Sequence, residues 1–130
     1  MSDDIRDQGM ATRREVLGDE HVDRAMTGAD TFTADFQEYI TRSVWGAVWS
    51  RPGLDRRTRS CITIAMLAAQ GMEHELVLHV RAARRNGVSV NEIKEVLLQV
   101  AAYAGVPRAN RAFSIARDVL AEPGSSAEST

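Results

Sequence analysis

The chain has 130 residues, enough for one domain, and its eighteen acidic and sixteen basic residues give a formal net charge of −2. This balance argues against a general nucleic-acid-binding protein, which would carry a basic face. The single cysteine, Cys61, excludes an internal disulfide, and no apolar run is of signal-peptide or membrane-spanning type, so we expect a cytoplasmic protein without a membrane partner.

Every strong pattern along the chain is helical, and residues that cap or end helices mark the boundaries. Thr33 is a predicted cap, the pair Ser89-x-x-Glu92 has the spacing of a capping box, and Pro107 suits a first helical turn. We therefore predict an all-α fold in a single domain over residues 1–122, followed by a disordered tail at 123–130. The predicted helices are 5–17, 19–27, 34–49, 56–70, a segment that contains His79 and ends before Gly87, 89–104 and 107–122.

Two of these helices predict that the chain forms an oligomer. The helix at 56–70 is apolar around nearly its whole circumference, so it should be buried on all sides, and so small a chain has few elements to cover it. In the helix after Thr33, Trp45 and Trp49 fall opposite the core stripe, on the face that should meet water. A subunit interface or a ligand pocket would explain this pair, and a further core layer within one chain is an equal alternative. The predicted core stripe of that helix is Phe36, Ile40, Val44, Ala47 and Val48.

His79 is the first candidate for catalysis because of the residues that share its helix face. At about 100° per residue, Glu75, His79, Ala82 and Asn86 fall on one stripe with aliphatic residues on either side. A carboxylate one turn before an imidazole can tune a proton donor or acceptor near neutral pH. Taken alone, a histidine that only packs at a buried helix contact is the commoner case.

Other chemistries fit the chain poorly. His74 and His79 lack the four-residue spacing of zinc hydrolases, so we expect no metal site. No glycine-rich loop follows a strand, and Cys61 lies among aliphatic residues as an inert thiol would. Four arginines at the start of the 56–70 helix could bind an anionic ligand together with the helix amino terminus, or could pair with nearby acidic residues. These arginines are Arg51, Arg56, Arg57 and Arg59.

The chain carries a series of motifs: Trp45-Gly-x-x-Trp49-x-Arg51-Pro-Gly-Leu-x-Arg56-Arg57-Thr-Arg59-Ser, Glu75-Leu-x-x-His79-x-Arg81-Ala-Ala, Asn86-Gly87-Val, Glu92-x-x-Glu95 and Tyr103-Ala-Gly-x-Pro107-x-x-Asn110. In this order they resemble the carboxymuconolactone decarboxylase family and cover the chain from about residue 14 to 122. The resemblance implies an alkylhydroperoxidase D-like helical fold of about six or seven helices and a homo-oligomer, expected to be a hexamer. Alkylhydroperoxidase D-like members carry a CxxC pair where this chain has Met72 and Glu75, so we expect no peroxidase activity. Many members of the wider family have a glutamate in place of Ser60, and this departure favours the decarboxylases.

The activity implied by the resemblance is decarboxylation of γ-carboxymuconolactone to β-ketoadipate enol-lactone in protocatechuate breakdown. The substrate would be an unsaturated lactone with two carboxylates, and its own ring would take up the electrons that CO₂ leaves behind, so no cofactor is expected. Two alternatives remain open: an enzyme of the same fold that acts on another small acid, and a non-catalytic helical oligomer. The expected site residues are His79 and Glu75 for catalysis and Arg57, Arg59, Trp45, Trp49 and Tyr103 for substrate binding.

Overall fold

The computed structural model describes residues 3–124, and every regular element within that range is helical. The all-α prediction is confirmed. The described residues form seven continuous helices, one of which begins as an α-helix and continues as a π-helix. The tail prediction falls, from residue 125 onward, outside the described range. The helices are α1 (Asp4–Leu17), α2 (Asp19–Thr27), α3 (Ala34–Tyr39) continued by a π-helix (Ile40–Trp49), α4 (Arg56–Gln70), α5 (Glu73–Arg85), α6 (Val90–Ala104) and α7 (Val106–Leu120).

These helices form two compact units that divide after Arg56. The amino-terminal unit contains α1, α2, α3 and the π-helix, and the carboxyl-terminal unit contains α4 to α7. The single domain that we expect over residues 1–122 stays a prediction. Within the described range, no helix is both long and apolar enough to cross a membrane.

Local capping signals place most helix ends where they were predicted. The capping box of α6 is confirmed: the Ser89 hydroxyl accepts from the Glu92 backbone N–H at 3.0 Å, and the Glu92 carboxylate accepts from the Ser89 backbone N–H at 2.9 Å. Pro107 lies in the first turn of α7, as expected. Thr33 is the N-cap residue of α3, as predicted, but its side chain makes no capping hydrogen bond. Instead the Asp30 carboxylate accepts from the backbone N–H groups of Phe32 and Thr33, each at 3.0 Å.

The amino-terminal unit is held by a very close approach of α1 and the π-helix. A side-chain carbon at Gly9 would lie 2.9 Å from the backbone nitrogen of Gly46, and one at Gly46 would lie 2.6 Å from the carbonyl oxygen of Ile5. Only glycine allows the two backbones to come this near. The contact is extended by a 2.8 Å hydrogen bond between the hydroxyls of Thr12 and Ser50.

The π-helix reverses the predicted orientation of the two tryptophans. Trp45 and Trp49 are buried, with 4% and 7% of their surface exposed, whereas Val44 and Val48 of the predicted core stripe are exposed. The prediction was wrong because it assumed α-helical winding. In a π-helix each hydrogen bond spans five residues, so each residue turns by less than 100° and the inward face changes. Phe36 and Ala47 of the predicted stripe are also exposed, and Ile40 is half-buried.

In the carboxyl-terminal unit, α4 contributes one buried face rather than a fully buried cylinder. Ser60, Ile64 and Ala68 are buried, whereas Ile62 and Met66 expose 40% and 58% of their surface. The prediction that α4 is buried on all sides is therefore wrong for the part of the chain that the structure describes. In α6, Ile93, Leu97 and Val100 are buried. This core also includes Leu76 and Val80 of α5 and Ala112, Ile115 and Val119 of α7.

Candidate active site

The stripe of α5 that carries His79 runs from a solvent-exposed end to a buried end. Glu75, in the first turn, is exposed, whereas His79 is half-buried and Ala82 is buried. At the other end, the side-chain amide of Asn86 donates to the hydroxyl of Ser60 on α4 at 3.2 Å. The stripe therefore combines an accessible carboxylate, a partly accessible imidazole and a polar contact to the neighbouring helix.

One nitrogen of the His79 imidazole is shielded from solvent. Its Nδ1 atom has no solvent-accessible surface. The carboxylate of Glu75 and the imidazole lie one turn apart on one face of α5. The tuning of the imidazole by Glu75 stays a prediction.

Ser60 belongs to this region, although the sequence pointed to it only through the family departure. Its side chain is fully buried, and its hydroxyl receives the Asn86 hydrogen bond. The two residues are 26 positions apart, on α4 and at the end of α5. No periodic pattern connects residues on two different helices. Only the packing of the helices against each other brings this pair together.

The two predicted arginines lie in different environments at the start of α4. Arg57 forms an ion pair with Glu92, the capping-box residue of α6, and both side chains are partly exposed. Arg59 is half-buried, and its Nε atom has no solvent-accessible surface. Residues two positions apart on an α-helix point about 200° apart, so the two guanidinium groups face different directions. The structure therefore does not show them as a joint clamp for one carboxylate.

The predicted aromatic residues lie in the π-helix and near the end of α6. Trp45 and Trp49 stack on each other in the amino-terminal unit, with ring centroids 5.1 Å apart and ring planes tilted by 32°. Their roles as substrate contacts stay predictions, with little exposed ring surface available for them. Tyr103, near the end of α6, exposes 86% of its surface. Its role in substrate binding also stays a prediction.

Metal-binding groups are not clustered in the part of the chain that the structure describes. No group of three or more histidine, cysteine, aspartate or glutamate side chains is placed to hold a metal ion there. Cys61 on α4 is not part of a disulfide and is half-buried. The chemistry that the described site residues themselves provide is proton transfer and charge stabilisation.

Comparison with known proteins defines the class to which this all-α chain belongs. The model of the carboxymuconolactone decarboxylase family matches residues 34–118, and the chain is a member of that family. A 4-carboxymuconolactone decarboxylase from Acinetobacter baylyi is 48% identical over 125 residues, which cover 95% of this chain and 93% of that protein. A nitrosuccinic acid decarboxylase from Metarhizium robertsii is 42% identical over 114 residues, which cover 88% of this chain and 80% of that protein. A 4-carboxymuconolactone decarboxylase from Pseudomonas putida is 52% identical over 40 residues, or 31% of this chain and 83% of that sequence.

Proposed function

We propose that this protein is a carboxy-lyase that converts γ-carboxymuconolactone to β-ketoadipate enol-lactone in protocatechuate breakdown. The observation that carries the proposal is the 48% identity to the Acinetobacter baylyi 4-carboxymuconolactone decarboxylase across nearly the full length of both chains. The His79 stripe, with its accessible carboxylate and half-buried imidazole, supplies the groups that the chemistry needs. We further propose that the helices adopt the alkylhydroperoxidase D-like arrangement and that the reaction takes place in the cytoplasm.

The reaction requires that the protein stabilise a negative charge and deliver one proton. The bond between the ring carbon and its carboxylate breaks, and CO₂ leaves without the bonding electron pair. That pair moves through the ring double bond toward the lactone carbonyl, and the ring becomes a dienolate with its negative charge on the former carbonyl oxygen. A proton then adds to the ring carbon beside the carbonyl, and the enol-lactone is formed. Stabilising the dienolate oxygen and delivering this proton are the two catalytic tasks.

His79 is our candidate for both tasks. Because Nδ1 is shielded from solvent, we propose that the other ring nitrogen, Nε2, faces the substrate. A protonated imidazole can hydrogen-bond the dienolate oxygen and can then pass its proton to carbon. Glu75, exposed one turn earlier on the same face, repels the substrate carboxylates from its end of the stripe.

The arginines are our candidates for binding the two substrate carboxylates. Because Arg57 and Arg59 point in different directions, we propose that each serves a different carboxylate, one on the ring and one on the acetate arm. Arg57 already pairs with Glu92, so a substrate carboxylate would share or displace that partner. Arg59 is the more buried of the two, so its contact is the less screened by solvent. The proposed substrate-binding roles of Trp45, Trp49 and Tyr103 rest on the family resemblance.

We also propose a homo-oligomer, most simply the hexamer that the family resemblance implies. Its support in this chain is the apolar outer face of α4, where Ile62 and Met66 are exposed. Exposed side chains of this kind on adjacent turns are costly in water, and a second copy of the chain would cover them. Phe36 and Val48 in the amino-terminal unit are exposed as well.

The direct test supplies the lactone, made in situ from carboxymuconate, and follows its loss by ultraviolet absorbance. We expect CO₂ release that depends on the protein and needs no added metal or organic cofactor. A second candidate substrate is nitrosuccinate, because a nitrosuccinic acid decarboxylase is 42% identical to this chain. Measuring kcat/KM for both acids separates the two. A clear preference for nitrosuccinate would replace the lactone as the substrate, and no turnover of either acid would contradict a decarboxylase.

A further inference from the structure

The carboxyl-terminal unit contains a cavity that the proposed decarboxylation does not use. It has a volume of about 220 Å³ and lies between the end of α4, the start of α5 and the first half of α7. Its floor is aliphatic, formed mainly by Leu67, Leu76 and Ile115. Neither His79 nor Glu75 lines it.

Charged side chains surround the polar part of this cavity. Arg108 and Arg111 line it from α7, and Glu73 lines it from α5. Arg111 Nη2 lies 2.9 Å from Glu73 Oε1, and this hydrogen bond, with the added positive charge of Arg108, lowers the pKa of the Glu73 carboxyl. Two cations and one carboxylate leave the cavity with one net positive charge.

The turn between α4 and α5 brings the second arginine close to the cavity wall. The guanidinium of Arg108 lies over Gly71, where any side-chain carbon would collide with it. Gly71 also has a φ of +71°, which favours glycine. The amino termini of α5 and α7 border the same space, and neither has a side-chain cap. Their dipoles add to the positive potential of the two arginines.

We propose that this cavity is an accessory binding site for a small monocarboxylate with an apolar body. One net positive charge matches one carboxylate, and the aliphatic floor matches a ring or short chain. The volume is below the roughly 300–1,000 Å³ of pockets for drug-sized ligands, so the ligand is about as large as benzoate. Its carboxylate competes with Glu73 for Arg111. Because Glu73 is the first residue of the helix that carries His79, occupancy of this site acts on the amino-terminal end of α5.

The test titrates benzoate into the full-length protein by isothermal calorimetry, with benzamide as its neutral counterpart. We expect benzoate to bind and benzamide to bind at least about tenfold more weakly, because the amide lacks the charge-assisted contact. Arg108→Ala should weaken benzoate binding by about tenfold or more. Arg24→Ala, which removes a surface arginine that pairs with Glu20 on α2, is the matched control and should change nothing.

Glu73→Gln provides a change in the opposite direction. It removes the carboxylate that competes for Arg111, so benzoate should bind several-fold more tightly, roughly the effect of losing one surface ion-pair competitor. A merely disruptive substitution would weaken binding instead. This variant also decides the question if circular dichroism shows that Arg108→Ala does not fold.

His79→Ala locates the bound benzoate. Binding should be unchanged in this variant, since His79 does not line the cavity. A loss of benzoate binding in His79→Ala would assign the ligand to the proposed catalytic site and overturn the accessory site. Three other results would also overturn the accessory site. They are equal binding of benzoate and benzamide, equal effects of Arg108→Ala and Arg24→Ala on benzoate binding, and unchanged or weaker benzoate binding in Glu73→Gln. These outcomes do not depend on whether the lactone is the substrate.

Discussion

The side-chain amide of Asn86 donates a 3.2 Å hydrogen bond to the hydroxyl of Ser60, which is completely buried on the inner face of α4. This bond joins the end of the His79 helix to the start of the helix that carries Arg57 and Arg59. When a buried hydroxyl loses its hydrogen-bond donor, the free-energy cost of removing it from water is no longer offset. The pair therefore connects the stability of the unit to the relative placement of its proposed catalytic and binding residues.

Asn86→Ala should reduce the free energy of unfolding by about 1–3 kcal/mol, because it leaves the Ser60 hydroxyl without this donor. Urea denaturation followed by circular dichroism measures the change. Asn91→Ala, at an exposed position on α6, is the matched control and should stay within about 0.5 kcal/mol of the original protein. The double change Ser60→Ala with Asn86→Ala should cost less than the sum of the single changes. Strict additivity would mean that the hydrogen bond contributes nothing.

His79→Ala should lower kcat by roughly 10²- to 10⁴-fold, the usual contribution of general acid catalysis. The lactone assay measures the rate, while circular dichroism and light scattering check the fold and assembly. His74→Ala is the control on the same helix, where the side chain is exposed and five residues away. Equal, small effects of the two substitutions would assign His79 to packing. A rate loss accounted for by unfolding would do the same.

Arg59→Lys should lower kcat/KM by about one to two powers of ten, because a point charge replaces a planar guanidinium that can hold a carboxylate through two hydrogen bonds. Arg57→Lys should have a smaller effect, since Arg57 is more exposed and already pairs with Glu92. Initial rates over a range of lactone concentrations separate kcat from KM. Arg24→Lys on α2 is the control. Unchanged kinetics in both site variants would make these arginines structural or surface residues.

Met66→Lys should shift the protein toward smaller assemblies, because it places a charge on the exposed apolar face of α4 that we propose is covered by another copy. Light scattering coupled to size-exclusion chromatography measures the mass. Asn91→Lys, at an exposed polar position on α6, should leave the mass unchanged. If the unmodified protein is a monomer at micromolar concentration, the oligomer proposal is wrong.

Much of the fold could be predicted because the signals for helix ends are local. Ser89 and Glu92, only three residues apart, mark the start of α6. Gly87, with a φ of +93°, marks the end of α5. Both signals can be recognised from a few neighbouring residues. The phase of the Trp45 helix could not be predicted in the same way. Its winding changes at Ile40, beside the close approach of Gly9 and Gly46, and that approach exists only in the folded unit.

The candidate site was predictable to the same extent. The His79 stripe is a property of one helix, so Glu75, Ala82 and Asn86 follow from periodicity alone. The partners of its neighbours are not: Ser60 meets Asn86, and Arg57 meets Glu92, because separate helices pack together. The exposure of Ile62 and Met66 likewise depends on how many elements are available to cover α4. Periodicity identifies an apolar face but cannot say whether the same chain or another copy covers it.

The crossing of Gly9 and Gly46 also limits how this chain can diverge. Because each backbone occupies the space in which the other residue's side chain would grow, a larger residue at either position requires α1 to move away from the π-helix. A chimera that takes α1 from a relative must therefore also take the matching π-helix from that relative. The two segments are expected to change together in evolution. The outward residues Val44 and Val48 are free of that constraint, so new surface properties can arise there without altering the crossing.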